Sequence, residues 1–179
     1  GPWWRVYALF KSWQCSGLWA EIEAGLQSTA DEQGKFGWEI SVDSTTARAH
    51  VHAAGARCDA VDRVAGEPAD HALGRSRGGW SATIHMGCDQ YLQSVVWTLT
   101  GGQAGDCPQL IPLLDKLRVA RPGQGRPRTR PTRVLADKAY SSKAVRAYLR
   151  RRGISTTIPV KNDQVKHPKA RGHRGGRPA

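Results

Sequence analysis

Residues 38–45 read Trp-Glu-Ile-Ser-Val-Asp-Ser-Thr, and the interpretation of the remaining sequence depends on this stretch. Trp38, Ile40 and Val42 alternate with polar neighbours, which predicts a β-strand with one buried face. Asp43 is one position out of phase with these apolar residues. Its carboxylate is therefore expected on the opposite face of the strand.

A second strand-like run, residues 133–137, also ends in an aspartate. Hard cations such as Mg²⁺ and Mn²⁺ prefer carboxylate oxygens, and rigid strands can hold two such ions close enough to bridge a phosphate. Asp43 and Asp137 are therefore candidate ligands of a two-metal site for phosphoryl transfer. At this point an alternative stays open, in which each aspartate only caps the end of its strand.

The composition is that of a globular protein. With 179 residues, of which 39% are hydrophobic, the chain suffices for one well-packed domain with an appendage. No apolar run approaches the length of a membrane span, so no membrane partner is expected. The absence of an initial Met and of a signal peptide suggests a fragment or processed product that is not exported. Four scattered cysteines disfavour a zinc site or disulfide framework and favour a reducing cytoplasm.

The net charge of +12 is concentrated in the last third of the chain. Residues 118–179 hold 18 Lys and Arg against two Asp, whereas residues 1–70 hold 6 Lys and Arg against 10 acidic residues. A basic segment is often only a solvated surface or tail. A charge block of this size on a globular chain favours a polyanionic partner, and we expect nucleic acid.

Periodicity predicts further elements around the two aspartate strands. Helical spacing covers residues 3–26 with a break at Gly17, and Asp106 is expected to cap a helix with a leucine stripe. The Pro-, Gly- and Arg-rich segment 118–132 is predicted to be an exposed loop, and the basic segment 161–179 to be disordered. The other strands and helices are expected at residues 80–88, 93–100, 143–152 and 154–160.

The order of these elements predicts a topology. The first three strands can form an antiparallel meander, and the strand that ends in Asp137 can enter parallel through a helical crossover. This is the order of a ribonuclease-H-like α/β fold with a mixed sheet, preceded by an N-terminal helical segment. In that order the first and fourth strands are neighbours, so Asp43 and Asp137 meet despite a separation of 94 positions.

Five stretches of the sequence together resemble bacterial insertion-sequence transposases of the DDE type, in the IS-five-like group. They are residues 42–45, 74–80, 84–85, 99–106 and 136–140. The resemblance covers most of residues 38–160, which would form the catalytic core. Residues 1–30 resemble the end of that family's N-terminal helical domain, and residues 161–179 would be a basic linker.

By this resemblance, Asp43 and Asp137 are the first two acids of the DDE triad. They would hold Mg²⁺ or Mn²⁺ ions that activate water, and then a 3′-hydroxyl, for in-line attack on DNA phosphates at the ends of the element. Double-stranded DNA, as element ends and as target, is then the expected partner. The candidate DNA-binding residues are Arg75, Arg77, Lys138, Tyr140, Arg150 and Arg151.

The sequence departs from the family pattern at the third acid. That acid is a Glu on a helix after the last strand, and no Glu follows Glu67 here. We therefore expect an incomplete catalytic core, truncated before the third acid. Two alternatives stay open: a catalytically inactive DNA-binding remnant, and a host ribonuclease-H-like nuclease. The second would need extra acids on the helices after the first strand, where only Asp115 is expected.

The resemblance also carries expectations about assembly and location. Such enzymes commonly act as dimers, so a homodimer is expected. A bacterial, cytoplasmic protein associated with the nucleoid would be consistent with a DNA substrate.

Overall fold

The computed structural model describes residues 1–50, 52, 71–121 and 123–170. Within these ranges the helices are α1 (Trp3–Ser16), α2 (Leu18–Glu32), α3 (Asp106–Lys116), α4 (Lys143–Arg151) and α5 (Asn162–Ala170), with a 3₁₀ turn at Lys138–Tyr140. The strands are β1 (Glu39–Arg48), β2 (Gly74–Ser76), β3 (Gly79–Cys88), β4 (Ser94–Gly101), β5 (Arg133–Ala136) and β6 (Ser155–Thr157).

The strands form one mixed sheet. β3 pairs antiparallel with β1 on one side and with β4 and the short β2 on the other. β5 pairs parallel with β1, and β6 pairs parallel with β5. The prediction of a mixed α/β fold behind an N-terminal helical segment is confirmed, and the two strands that supply Asp43 and Asp137 are neighbours.

The core lies between this sheet and helices α3 and α4. Ile40 and Val42 of β1 are buried while Ser41 and Asp43 are exposed, because successive side chains of a strand point to opposite faces. The leucine stripe of α3 and the inner face of α4 cover the buried face of the sheet. Their fully buried members are Leu110, Leu113, Leu114, Val145 and Leu149.

The N-terminal helices are joined at Gly17, whose left-handed backbone (φ 78°) ends α1 at the predicted break. No residue of α1 or α2, both of which the structure describes in full, is buried. α2 nevertheless docks on the core, because the Gln27 amide donates to the carbonyls of Ser94 and Val95 at 3.3 and 3.0 Å. These bonds occupy part of the open edge of β4.

The segment between α3 and β5 differs in part from its prediction as an exposed loop. Val119 is fully buried and exchanges two backbone hydrogen bonds of 2.9 Å with Arg128. The Arg128 guanidinium also stacks 3.9 Å from the centre of the Trp38 ring and lies 2.9 Å from Asp31. Most described residues of this segment are exposed and form no helix or strand, as predicted, but Arg128 ties it to α2 and to Trp38, just before β1.

The basic segment after residue 160 also differs in part from its prediction. Residues 162–170 form α5, and Gln164 both accepts from the Ser141 hydroxyl at 2.8 Å and donates to the Ser141 carbonyl at 2.6 Å. Residues 171–179 lie outside the described residues, and the proposed division into three segments stays a prediction. None of the helices in the described ranges is long and apolar enough to cross a membrane.

Candidate active site

Asp43 and Asp137 lie next to each other on two interior strands of the sheet, at the carboxyl end of β5. Val42 pairs with Ala136 in the parallel register of β1 and β5, so the two aspartates are the next residues on adjacent strands. β5 ends there, whereas β1 continues to Arg48 and pairs only with β3. Both aspartates are exposed, and they lie where the pairing of β1 with β5 ends.

Each of these carboxylates has one local hydrogen bond. Asp43 Oδ1 accepts from the Ser44 N–H at 2.8 Å, and Asp137 Oδ1 accepts from the Ala139 N–H at 2.8 Å. Asp137 thereby caps the 3₁₀ turn, so the alternative of a capping role is true of it in part. The second oxygen of each group makes no hydrogen bond within the described ranges and is available to a ligand.

A buried tyrosine lies beneath the pair. Tyr140 is 2% exposed, and its hydroxyl has no hydrogen-bond partner among the described residues. Burial is the main cause that raises the pKa of Tyr140 to about 12, with Asp106, Asp43 and Asp137 acting in the same direction. Ser44 opposes the shift, although its hydroxyl is not in hydrogen-bond geometry with the phenol. Tyr140 is thus a neutral group that three carboxylates surround.

His85 is the second buried polar group of this region. Its side chain is fully buried, Nε2 lies 2.8 Å from Thr100 Oγ1, and Nδ1 lies 3.8 Å from Asp106 Oδ1 without a hydrogen bond. Burial lowers the pKa of His85, and the nearby Asp106 only partly offsets this effect. His85 is therefore neutral at physiological pH.

Asp106 is the functional candidate that the sequence reasoning missed. It was expected only to cap α3, but Gly105 occupies the cap position and Asp106 is in the first turn of the helix. The expectation that these helices carry only Asp115 was therefore wrong. The available signal was its place in a glycine-rich stretch after a strand, where a helix begins at the sheet edge.

The donor chemistry of the site suits a hard divalent cation, because exposed carboxylates are the preferred ligands of Mg²⁺ and Mn²⁺. The described residues contain no group of three or more His, Cys, Asp or Glu side chains placed to hold a metal ion. Asp43 and Asp137 are thus the two residues that could hold a cation, and Asp106 is close to Tyr140 without completing a set of three ligands.

The predicted DNA-binding residues are not all in one place. Arg75 and Arg77 are exposed on the β2–β3 hairpin and form no ion pair in the part of the chain that the structure describes. Lys138 is exposed directly after Asp137, whereas Tyr140 is buried, and the DNA contact expected of it is not accessible in this structure.

Two more predicted DNA-binding residues lie at the C-terminal end of α4, away from the aspartate pair. Arg150 and Arg151 are exposed in the last turn of α4, whose first residue follows the cap Ser142. At about 1.5 Å per residue they lie roughly 12 Å along the helix from that cap. The structure does not bring them to the aspartate pair.

Comparisons with known proteins show which family the chain resembles. A family model described as "Transposase DDE domain" matches residues 34–178. The putative transposase for insertion sequence element IS402 from Burkholderia cepacia is 43% identical over 60 residues, which are 34% of this chain and 28% of that protein.

A solved structure is also similar, though remotely. The cryo-EM structure of a piggyBac transposase synaptic complex with hairpin DNA gives a TM-score of 0.37 at 15% identity, over 79% of this chain and 27% of that one. The matches thus cover well under half the length of either relative. Because the family model matches most of the sequence, the chain belongs to the transposase DDE domain family, and the predicted resemblance to bacterial insertion-sequence transposases is confirmed.

Proposed function

We propose that this chain is the core of a transposase that cuts and joins DNA at the ends of an insertion sequence. The observation that carries the proposal is the side-by-side placement of Asp43 and Asp137 on two neighbouring strands, at the carboxyl end of β5. Two exposed carboxylates on rigid neighbouring strands supply oxygen ligands of the kind that metal-dependent phosphoryl transfer uses.

We infer that the fold is ribonuclease-H-like. The support is the topology, in which an antiparallel meander of β1, β3 and β4 is followed by the parallel strands β5 and β6 through helical crossovers. Residues 38–160 would then be the catalytic core, residues 1–30 the end of a helical domain, and residues 161–179 a basic linker.

In this proposal Asp43 and Asp137 hold Mg²⁺ or Mn²⁺ through the oxygens that their local hydrogen bonds leave available. Bound divalent cations supply activation of water and stabilise the charge that develops on a phosphate. Lys138, exposed beside Asp137, pairs with a phosphate oxygen near the acids. Arg75 and Arg77 bind the DNA backbone through their planar guanidinium groups, and Arg150 and Arg151 bind DNA further from the site.

Tyr140 acts from inside the protein in this proposal. Its uncharged ring is buried near the acids, which act on the pKa of its hydroxyl. A neutral phenol adds no charge to a region that already holds three carboxylates. A positively charged side chain at this position would partly neutralise the carboxylates. The neutral phenol does not, so the carboxylates keep their negative charge for a bound cation.

A second function is favoured by the number of acids. With two carboxylates placed for metal binding and no Glu after Glu67, the chain could be a catalytically inactive DNA-binding remnant. Such a protein would retain its basic surface and lose cleavage. The two functions differ in a single measurable property, which is metal-dependent nicking.

The first test is Mn²⁺-dependent nicking of labelled duplex DNA by the chain, beside Asp43→Ala and Asp137→Ala. Nicking by the parent is expected, and either substitution should reduce it by about a thousandfold or more, because each removes a cation ligand. Asp163→Ala, which removes an exposed acid of α5, is the matched control and should nick like the parent.

DNA binding in a mobility-shift assay separates the outcomes of this test. If the parent does not nick DNA while all four proteins bind it, the remnant function is correct. If the aspartate variants nick as well as the parent, the assignment of Asp43 and Asp137 is wrong.

The second test uses salt. Affinity for duplex DNA should fall steeply from low to physiological salt, because each Lys or Arg contact with a phosphate releases counterions. Arg75→Ala with Arg77→Ala should reduce the magnitude of the slope of log K against log salt by about two. Arg5→Ala, on exposed α1, is the control. An affinity that does not depend on salt would contradict DNA binding through the basic surface.

A homodimer and an association with the nucleoid belong to the same proposal. The exposed aromatic side chains of α1 and α2 favour self-association, since large apolar surfaces of this kind usually mark an interface. Trp3 is 78% exposed and Leu26 is 67% exposed. Sedimentation of the chain at several concentrations, with and without DNA, tests the dimer.

A further inference from the structure

Two glycine-rich stretches that the site does not use meet at one end of the sheet. The first forms the β2–β3 hairpin at residues 74–79, and the second follows β4 at residues 101–105. The side chain of Gln103 lies between them. A Cβ on Gly74 would overlap Gln103 Oε1 and lie 2.5 Å from Cδ, and a Cβ on Gly101 would lie 2.8 Å from Oε1. Glycine at both positions therefore leaves a slot that the Gln103 amide fills.

Hydrogen bonds tie the same hairpin to the end of β4. The Gly102 N–H donates to the Ser81 carbonyl at 2.9 Å, and a Cβ on Gly102 would lie 2.9 Å from that oxygen. The Ser81 hydroxyl donates to Ser76 Oγ at 3.0 Å, and the Ser76 hydroxyl lies 3.0 Å from the Gly79 carbonyl. The hairpin is thus held by the Gln103 side chain and by the hydrogen bonds of two serines.

The hairpin carries positive charge. Arg75 and Arg77 are exposed on it, and the guanidinium of Arg48, at the end of β1, lies 3.2 Å from where a Cβ on Gly78 would be. We call Arg48, Arg75 and Arg77 the arginine arm. Arg48 lies five positions after Asp43 on β1, which places it about 17 Å beyond that acid at ~3.4 Å per residue.

A short hairpin of this kind needs support. β2 has three residues, and a two-stranded hairpin is only marginally stable without packing. Arg75 and Arg77 also place two positive charges on these few residues, and like charges near one another repel. Contacts that hold the arm in place before DNA arrives reduce the entropy lost on binding and so increase affinity.

We propose that Gln103 is a positioning residue for DNA binding: its side chain occupies the glycine-lined slot and holds the arginine arm in its binding conformation. The proposal rests on the proposed function, because it takes the DNA backbone as the ligand of the arm. In this proposal Gln103 acts through the arm, and Arg48 joins Arg75 and Arg77 as a DNA-binding residue.

The test combines four variants with two measurements. The variants are Gln103→Ala, Gly74→Ala, the double variant with both changes, and Gly105→Ala. Amide hydrogen exchange of residues 74–80 reports opening of the hairpin, and fluorescence anisotropy with a labelled 30-base-pair duplex reports affinity. Gly105→Ala is the matched control, because a Cβ there meets only Pro108 Cδ at 3.9 Å.

Gln103→Ala should speed exchange of the hairpin amides and weaken DNA binding by about tenfold, which corresponds to about 1.4 kcal/mol. Gly74→Ala should have the same effects, since the new methyl group displaces the Gln103 amide. In the double variant the alanine methyl occupies space that the amide has left. Its effects should therefore equal those of one single variant and not their sum.

The double variant Arg75→Ala with Arg77→Ala separates the role of Gln103 from DNA binding by the arginine arm. If this variant weakens DNA binding while Gln103→Ala changes neither exchange nor affinity, the role of Gln103 is wrong and the proposed function stands. If Gln103→Ala speeds exchange but neither it nor the arginine variant affects DNA binding, the arm is not a DNA contact and the inference is overturned with it. Additive effects in the double variant would show that Gly74 and Gln103 act separately, which would also overturn it.

Discussion

Two aspartates of the sheet, Asp89 just after β3 and Asp43 on β1, differ in burial and in the number of hydrogen bonds that they accept. Asp89, just after β3, is 1% exposed and accepts three backbone hydrogen bonds, from Gly37 at 3.0 Å and from Tyr91 and Gln93 at 2.9 Å each. Asp43 is exposed and accepts one bond, from its own neighbour. A buried carboxylate with satisfied oxygens stabilises a fold, whereas an exposed one with an available oxygen can bind a ligand.

The polar groups near each aspartate also differ in whether their hydrogen bonds are satisfied. Next to Asp89, the polar groups of the turn are paired, and the acid also raises the pKa of the Cys88 thiol, after burial as the larger cause. Beneath Asp43 and Asp137, His85 Nδ1 and the Tyr140 hydroxyl are buried and unpaired among the described residues. Unsatisfied buried groups cost stability, and they cluster where a protein has a functional site.

The largest expected effect on stability is at Asp89. Asp89→Asn should lower the free energy of unfolding by about 3 kcal/mol, because an amide cannot accept all the N–H bonds that the buried carboxylate accepts. Asp43→Asn should change it by less than about 0.5 kcal/mol, as exposed positions usually do. Urea unfolding followed by tryptophan fluorescence measures both. Equal effects at the two positions would break the comparison.

A smaller effect is expected from His85 as the pH falls. Burial lowers its pKa in the folded protein, so below the ordinary value of 6.5 the unfolded chain binds a proton that the folded chain does not. The stability from His85 is present above pH 6.5 and is lost as the pH falls through the lowered pKa. His85→Gln should therefore reduce the difference in unfolding free energy between pH 7.5 and pH 5, measured by urea unfolding.

The control for this measurement is His50→Gln, which changes an exposed histidine. This variant should keep the full pH dependence of the parent. If His85→Gln kept it as well, the buried histidine would not be the titrating group. The comparison would then lose its evidence that burial of His85 makes stability depend on pH.

The smallest effect is expected at Tyr140. Its pKa of about 12 means that the folded protein loses stability as the pH rises from about 10 towards 12, where the unfolded phenol ionises first. Tyr140→Phe removes the unpaired hydroxyl, so it should leave neutral-pH stability equal or up to about 1 kcal/mol higher. Ultraviolet titration should lose its last tyrosine step in this variant. A loss of several kcal/mol would mean that the hydroxyl has a partner.

Much of the geometry of the candidate site was predictable from the sequence, for local reasons. The alternation around Val42 predicts the buried and exposed faces of β1, because a strand has a period of two. The order of strands and helices predicts that β1 and β5 are parallel neighbours, since crossover connections follow few topologies. Together these arguments place Asp43 beside Asp137, and the structure agrees.

Two segments differ in part from their predictions, and for the same reason. Segment 118–132 has the composition of a loop, yet Arg128 of this segment stacks on Trp38 and pairs with Asp31. Residues 162–170 lack an apolar face, yet Gln164 finds two partners on Ser141. In both cases a tertiary contact stabilises a segment whose own propensity is weak, and no local pattern reports such a contact.

The sequence alone therefore determined the faces of the strands, the likeness to DDE transposases and the two acids on neighbouring strands. Only the tertiary structure decided that His85, Asp106 and Tyr140 gather beneath that pair, and that Gln103 fills a slot between two glycine stretches. The physical reason is one of range. Periodicity and turn chemistry act over a few residues, whereas these contacts depend on the register and packing of elements far apart in the chain.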